Sequence, residues 1–268
     1  MQGLSSQRLM EPGPEFGNVR MKVDMGTPID SSRYEMIYEL TKIDPAIMED
    51  ELEVRILQIG DHAIFDQGYS EYRIDSVIWK IHEPTMTVRD YYLIESGYGN
   101  IPGITLIRPY LFYQNKWRET EMIDSKGVCT YDSTAVQDWE LLDGKEIVAG
   151  MECNKARANF RGREWIVWYA QDIPYSAGPW KLGGLPGLIL KAESADGEYK
   201  MEARLLRNGS GSIRRQQEHY SEIKRAEFVR RYQENTEYPF RKASYNTNGK
   251  HEQYDERQFY NPIEKTLD

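Results

Sequence analysis

Residues 173–192 read IPYSAGPWKLGGLPGLILKA, and the rest of the chain is best understood outward from them. Glycine and proline are dense here and exclude a helix interior, because glycine is conformationally free and proline lacks a backbone N–H. The apolar run 188–190 that follows predicts a buried strand. The stretch is therefore predicted to be a loop that leads into a strand. Loops are usually polar, so one that carries Trp180, Leu182 and Leu185 must pack on its own sheet or against something else.

Short strands predominate on both sides of this loop, because polar and apolar residues alternate along much of the chain. Two stretches, 69–82 and 221–234, instead repeat their apolar residues at helical spacing. Many short strands with few helices predict a mainly β, α+β fold: a strongly curved antiparallel sheet or open half-barrel with one or two packed helices. The predicted strands are 33–40, 52–59, 62–67, 90–95, 103–113, 120–130, 136–142, 147–159, 164–170, 188–193 and 198–206, with Asp143 and Gly144 as the turn of one hairpin.

Composition divides the chain into four predicted segments. Residues 1–32 are rich in glycine and proline without periodicity and form an extended arm. The β domain occupies 33–207. A glycine- and serine-containing linker and a C-terminal helix occupy 208–238, and residues 239–268 form an extended or disordered tail because they are polar without period.

The hexapeptide at 184–189 reads GLPGLI and resembles the signature of the GLPGLI family. The resemblance covers roughly 33–206 and is densest at 139–191. Met151 and Glu152 depart from the family pattern, which often has an aromatic residue and a lysine there. Further matches in order are Ile59-Gly60, Tyr69-Ser70, Trp139-Glu140-Leu141, Ile147, Gly150, Cys153, Lys155-Ala156, Phe160-Arg161-Gly162-Arg163, Trp168-Tyr169 and Ile173-Pro174.

The resemblance implies an exported bacterial envelope protein, periplasmic or secreted, of no established activity. It supplies no catalytic residues, so none are assigned. The first residues lack the basic start and apolar core of a signal peptide. In view of the resemblance, Gln2 is interpreted as lying near a mature N-terminus. The open half-barrel of bacterial lipoprotein carriers is the preferred form of the fold, by analogy alone.

The formal net charge of −9 argues against nucleic acid or anionic lipid as a general partner. Residues 214–231 are locally basic, but interspersed glutamates favour a solvated helix face over a nucleic-acid site. No apolar run is long enough to span a bilayer, so no transmembrane segment is expected.

Metal and cofactor sites are not expected. The four histidines stand alone, and no Cys/His spacing typical of zinc is present. In an oxidising compartment Cys129 and Cys153 could form a disulfide, and we expect them on neighbouring strands. Two unpaired core thiols are the alternative.

The ligand-binding residues predicted from the loop are Trp180, Leu182, Gly183, Gly184, Leu185, Pro186 and Gly187. A phosphate-binding interpretation has little support, because GxGxxG and the Walker A pattern are both absent and the strand follows the glycines. Leu185 and Leu188 are expected in the core and Trp180 on the surface, free to stack on a ligand. Gly184 or Gly187 is expected to have a positive φ angle, as a type II turn requires.

Two functions follow. The first is a non-catalytic envelope protein that binds a hydrophobic or peptide-like ligand or an outer-membrane protein partner, because no catalytic constellation is visible. The alternative is a hydrolase with a loop-built site near Asp172 and Ser176, although Ser176 has no recognisable base and GxSxG is absent. The first is favoured.

Overall fold

One large β-sheet organises the protein. A computed structural model describes residues 13–44, 49–81, 83–98, 108–123, 126–133, 137–216, 220–237, 244–247, 250–253 and 261–267. The helices there are α1 (Pro14–Gly17), α2 (Tyr69–Ile81), α3 (Val88–Tyr98) and α4 (Arg225–Glu237). The strands are β1 (Arg20–Lys22), β2 (Thr27–Ser31), β3 (Tyr34–Asp44), β4 (Glu49–Ile59), β5 (Ala63–Gly68), β6 (Thr85–Thr87), β7 (Tyr110–Tyr113), β8 (Lys116–Ile123), β9 (Lys126–Asp132), β10 (Glu140–Val148), β11 (Met151–Phe160), β12 (Arg163–Ala170), β13 (Leu188–Ser194), β14 (Tyr199–Asn208), β15 (Ser212–Arg215), β16 (Ser221–Glu222), β17 (Ser244–Thr247) and β18 (Lys250–Gln253).

Twelve strands form the main sheet in the order β10-β11-β12-β13-β14-β3-β4-β5-β7-β8-β9-β16. Every pair is antiparallel except β16 with β9. The two end strands, β10 and β16, do not pair with each other, so the sheet is open. The predicted mainly β fold, with a large antiparallel sheet and a few helices, is confirmed.

The core follows the two-residue period of the strands. Val167, Ala192, Met201 and Leu40 are register partners across β12, β13, β14 and β3, and each is fully buried. Because cross-strand partners share a face of the sheet, this row forms one continuous apolar stripe. The alternation of the sequence therefore places the core correctly in this half of the sheet.

Residues 90–95 are part of helix α3, so the prediction of a strand there is wrong. Two reciprocal contacts mark the helix start. The Asp90 N–H donates to Thr87 Oγ1 at 3.1 Å, and the Thr87 hydroxyl donates to Asp90 Oδ2 at 2.6 Å. This Thr-x-x-Asp arrangement is a capping box, which satisfies backbone donors that the first helical turn leaves unpaired.

The β10–β11 hairpin turns later than the sequence predicts. Asp143 and Gly144 lie within β10, at a register shift between Leu142 and Lys145. The chain reverses at Ala149 and Gly150, which have φ angles of 49° and 81°. The predicted turn is therefore a bulge, which adds residues to one strand without ending it.

Other predicted boundaries also change. The predicted strand 120–130 is divided between β8 and β9, which form an antiparallel pair. The helix predicted at 69–82 is confirmed as α2, and the one predicted at 221–234 begins at Arg225. Residues 1–12 of the predicted arm, 103–107 of a predicted strand and 254–260 of the predicted tail lie outside the described residues. None of the described helices is both long and apolar enough to cross a membrane.

The segment 261–267 of the predicted tail is anchored to the β domain. Asn261 and Glu264 are buried. The Tyr199 hydroxyl donates to the Asn261 carbonyl at 2.6 Å, and Arg163 Nη2 donates to the Pro262 carbonyl at 2.7 Å. The end of the chain therefore contributes to the core, although its composition resembles that of a solvated tail.

Candidate functional site

The loop of residues 173–187, here called the signature loop, connects β12 to β13 and contacts both halves of the sheet. The Trp180 ring lies 5.2 Å from the ring of Phe160 and 5.5 Å from that of Trp165, in β11 and β12. Its backbone N–H donates to Asp66 Oδ2 in β5 at 2.6 Å. The loop therefore joins strands that lie far apart in the sheet order.

The side chains of the signature loop are more buried than predicted. Trp180 is 0% exposed, so the expectation that it lies on the surface is wrong. Pro179 precedes it and Lys181 follows it in the sequence, but its ring partners come from strands β11 and β12. Leu185 and Leu188 are in the core, as predicted, and Leu182 joins them. Of the predicted ligand residues, Gly184 and Pro186 are exposed, and the binding role of the whole set stays a prediction.

Two glycines of the signature have different physical roles. Gly184 has a φ angle of +86°, which confirms the predicted positive φ. Gly187 does not share it, but a Cβ there would lie 2.3 Å from the backbone oxygen of Ala170. Gly184 is thus required by backbone conformation, and Gly187 by the close approach of two chain segments.

Lys181 lies at the centre of a buried charge cluster. Its Nζ donates to Glu119 in β8 at 2.5 Å, to Asp132 in β9 at 3.0 Å and to Glu264 at 2.6 Å. The Lys181 side chain is 0% exposed and the carboxylates are at most 5% exposed. Three donors thus meet three acceptors, as a buried ammonium requires. Arg225 also binds Glu119 and Glu264, and Arg161 binds Asp132.

The same carboxylates have the spacing of metal ligands, because one oxygen from each lies within 4.8 Å of the others. The ammonium group of Lys181 already bridges all three. Burial raises the pKa of Glu119, but the charges of Lys181, Arg108 and Arg225 outweigh burial and hold that pKa well below its usual range. The cluster therefore serves as an ion-paired anchor for the signature loop. The sequence shows one sign of it, since a single lysine inside an apolar loop needs a buried partner.

A cavity of about 380 Å³ lies where the outer side of the signature loop meets two hairpin turns. We call it the turn cavity. The β4–β5 turn supplies residues 60–62, the β7–β8 turn supplies Gln114 and Asn115, and the signature loop supplies 175–177. Gln114 and Asn115 have φ angles of 53° and 60°. A two-residue hairpin loop of type I′ requires a positive φ angle at both central residues, and this conformation costs energy in residues other than glycine.

The turn cavity also contains Ser176 of the alternative hydrolase, together with His62 and Asp61. Ser176 Oγ accepts the N–H of Gly184 at 3.0 Å, which ties it to the signature loop. Asp61 accepts two hydrogen bonds from Arg33, at 3.0 and 2.7 Å. Asp172 is exposed and does not line the cavity. Of the two residues of the predicted hydrolase site, Ser176 alone therefore lines this cavity, and the hydrolase stays a prediction.

The expected proximity of the cysteines is wrong. Cys129 is in β9 and Cys153 in β11, at opposite ends of the sheet order, and both are free and buried. Burial raises the pKa of the Cys153 thiol to about 11. Because the thiolate is the reactive form, this thiol is inert at neutral pH. The β10–β11 hairpin, which contains Cys153, does not pair with β9. Strand β9 pairs with β8 and β16 instead.

Comparison with known proteins places part of the chain near an uncharacterised family. Residues 120–191 match a family model described as "Protein of unknown function (Porph_ging)". This segment includes β10–β12 and the signature loop but not the two turns that complete the turn cavity. No curated protein matches the chain.

Solved structures with some likeness include two of PNGF-II, in space groups P21 and C2, with 16% identity to this chain and TM-scores of 0.48 and 0.49. They cover 75% of this chain, which spans only about a third of theirs. MucB in complex with MucA(peri) has 9% identity and a TM-score of 0.31, and covers 68% of this chain and 52% of its own. These distant likenesses carry no functional conclusion, so the function must be argued from the site itself.

Proposed function

We propose that the protein is a non-catalytic binding protein of the bacterial cell envelope, periplasmic or secreted, and that it holds a peptide-like ligand in the turn cavity. The observation that carries this proposal is the cavity itself, built from two hairpin turns and bounded on one side by the signature loop. Its volume of about 380 Å³ lies in the range of small-molecule sites. The envelope location rests on the GLPGLI resemblance.

The lining of the turn cavity suits a short peptide with an apolar side chain. Phe112, Tyr113 and Tyr175 supply aromatic surface, and the amides of Gln114 and Asn115 supply both donors and acceptors. Amide groups complement a peptide backbone, and aromatic rings complement an apolar side chain.

The wall formed by the signature loop is held in place by contacts within the loop and with β3 and β13. Tyr175 packs against Tyr34 with ring centroids 6.0 Å apart. Ala177 bridges to Gly183, and its carbonyl accepts the N–H of Ile189 at 2.9 Å. Gly183 and Ile189 therefore hold this wall of the cavity in place through their contacts with Ala177. We accordingly propose that Gly183 and Gly184 act by positioning residues 175–177.

A hydrolase remains the second candidate, because Ser176, His62 and Asp61 share the turn cavity. The contacts of Ser176 with Gly184 and of Asp61 with Arg33 favour structural roles for both side chains. A nucleophilic serine needs a base within hydrogen-bond reach and a third group to orient that base. Binding without turnover is therefore the better-supported function.

The test uses fluorescein-labelled tetrapeptides that differ only in carrying leucine, phenylalanine or glycine at the second position, with fluorescence polarisation as the readout. Gln114→Gly and Asn115→Gly remove lining side chains and also relieve a positive φ angle. We expect them to weaken binding of the apolar peptides about three- to tenfold while thermal stability is retained or increased. Ala149→Gly is the matched control, since it relieves a φ angle of 49° away from the cavity and should leave affinity unchanged.

Equal affinity for the glycine and apolar peptides, or unchanged affinity in both turn variants, would contradict the proposal. Mass spectrometry of the incubated peptides tests the second candidate. Cleavage that disappears in Ser176→Ala would establish the hydrolase instead.

A further inference from the structure

We propose that a second cavity, between α2 and the segment 210–214, binds an organic anion: an oxyanion group joined to an apolar body. The cavity has a volume of about 510 Å³, within the range of ligand sites. It lies apart from the turn cavity and shares no lining residue with it. The proposal therefore does not depend on the function proposed above.

The charge of the lining carries the argument. Arg73 and Lys80 from α2 and Arg214 from β15 all line the cavity, and no carboxylate does. The two acidic residues of α2, Glu71 and Asp75, are also absent from the lining. The Glu35 carboxylate, whose Oε1 lies 3.5 Å from the Tyr72 hydroxyl, is neutralised by its pair with Arg207, so the three cations of the lining favour a positive potential in the cavity. An anion is the ligand that this potential favours.

Helical spacing explains why two of the cations line the same cavity. Arg73 and Lys80 are seven positions apart, two turns of the helix, and so share one face of α2. Ser76 and Val77 lie between them on the same face. Ser210 and Ser212 face this helix from the segment before and at the start of β15. Hydroxyl groups at such positions can donate to an oxyanion that is held by the charged side chains.

Arg214 is held in position by contacts with two backbone oxygens and one aromatic ring. Its Nη1 donates to the backbone oxygens of Met25 at 2.9 Å and Gly26 at 3.0 Å. Its guanidinium also lies 5.2 Å from the centre of the Trp79 ring. A guanidinium fixed in this way loses little side-chain entropy on binding and matches the planar geometry of a carboxylate or phosphate.

The remaining lining is apolar or aromatic and defines the rest of the ligand. Trp79, Val77 and the ring of Tyr72 contribute this surface. The buried Trp79 Nε1 has no hydrogen-bond partner among the described residues. A simple inorganic ion would leave most of the cavity unfilled. An amphiphilic anion would use both its charged and its apolar parts.

The experiment compares two fluorescent probes of similar shape. 8-Anilinonaphthalene-1-sulfonate carries a sulfonate, and N-phenyl-1-naphthylamine has the same aromatic rings without the charge. We expect the sulfonate probe to bind at least about fivefold more tightly, and its affinity to fall when salt is raised. Decanoate should displace it, whereas decanol should not.

Lys80→Ala and Arg73→Gln should each weaken the sulfonate probe about three- to tenfold and leave the neutral probe unchanged. Lys145→Ala, which removes the same charge from the exposed strand β10, is the control and should change neither affinity. Circular dichroism and thermal unfolding of each variant check the fold. Equal binding of the two probes, displacement by decanol as effective as by decanoate, or unchanged sulfonate affinity in both α2 variants would overturn the proposal.

Discussion

The two sides of the signature loop have opposite surroundings. On the inner side, Trp180, Lys181 and Leu185 are almost fully buried and are fixed by partners from β5, β8, β9 and the chain end. On the outer side, Tyr175 and Ser176 border the turn cavity. One apolar loop can therefore belong to the protein core on one side and line a cavity on the other. Most residues of the GLPGLI hexapeptide, 184–189, belong to the buried, inner side.

The largest expected effect tests the charged anchor. Lys181→Met keeps the aliphatic stem but removes the ammonium group, which leaves Glu119, Asp132 and Glu264 without it. We expect the free energy of unfolding to fall by about 3–5 kcal/mol, because removing one partner of a buried ion-paired cluster is strongly destabilising, although Arg225 and Arg161 still contact the carboxylates. Urea unfolding measures it. Lys191→Met is the matched control: its pairs with Glu146 and Glu193 are partly exposed, so its loss should be smaller.

The pH dependence of the ion pair between Lys181 and Glu119 gives a second test of the anchor. The pKa of Glu119 is depressed in the folded protein, so its contribution to stability is present above the unfolded pKa and is lost as pH falls through the folded value. Without Lys181 the depression is smaller. The stability difference between the wild type and Lys181→Met should be largest above about pH 5 and shrink below about pH 4. A difference that does not change with pH would count against the ion-pair account.

Trp180→Ala tests the apolar part of the inner side. Because the ring is fully buried among Phe160 and Trp165, we expect a loss of about 3–5 kcal/mol, with Leu185→Ala at about 2–5 kcal/mol. Thermal and urea unfolding report both values. A Trp180→Ala protein as stable as the wild type would show that the ring is not part of the core.

Gly187→Ala tests the close approach of the loop to β12. The added Cβ would lie 2.3 Å from the Ala170 oxygen, so the backbone must shift, at about 1–3 kcal/mol. Gly97→Ala in α3 is the matched control, because a Cβ there has nothing within 4 Å and alanine favours the helix. Equal stability of the two variants would remove the steric explanation for Gly187.

The smallest expected effect lies at the edge strand β10. Leu141 and Ile147 are 64% and 67% exposed, although they are apolar and belong to the region that matches the family model. Leu141→Ser and Ile147→Ser should each change stability by no more than about 0.5 kcal/mol. A larger loss would show that Leu141 and Ile147 are packed against other groups in solution. Strand β10 would then differ less in burial from the signature loop.

The parts of the fold that follow local periodicity could be predicted from the sequence. Two-residue alternation located β3, the apolar run at 188–190 located β13, and helical spacing located α2. The strand at 90–95 was wrongly predicted because the apolar pattern was used alone. Thr87 and Asp90 have the spacing of a capping box, which indicates the start of a helix. The shifted β10 turn shows that Asp-Gly can also form a bulge.

The candidate site was harder to predict because its contacts are non-local. The three carboxylates around Lys181 come from 49, 62 and 83 positions away, and no spacing rule joins them. The β7–β8 turn was missed for another reason: Gln114 and Asn115 do not form one of the glycine-containing pairs that mark two-residue hairpins. Burial of Leu185 was predictable from its chemistry. Burial of Trp180 depended on how the loop packs against β11 and β12, two strands that the sequence located without showing this contact.

Glu264 also determines when the fold can be completed during synthesis. Lys181 is made well before it, and until the segment 261–267 docks, the ammonium has only two of its three carboxylates. Contacts between residues so distant in the chain close large loops and slow the folding of β-rich proteins. The charged contacts of the signature loop are therefore complete only after residue 264 has emerged. Before that moment, Lys181 lacks one of the three carboxylates that neutralise it in the native protein.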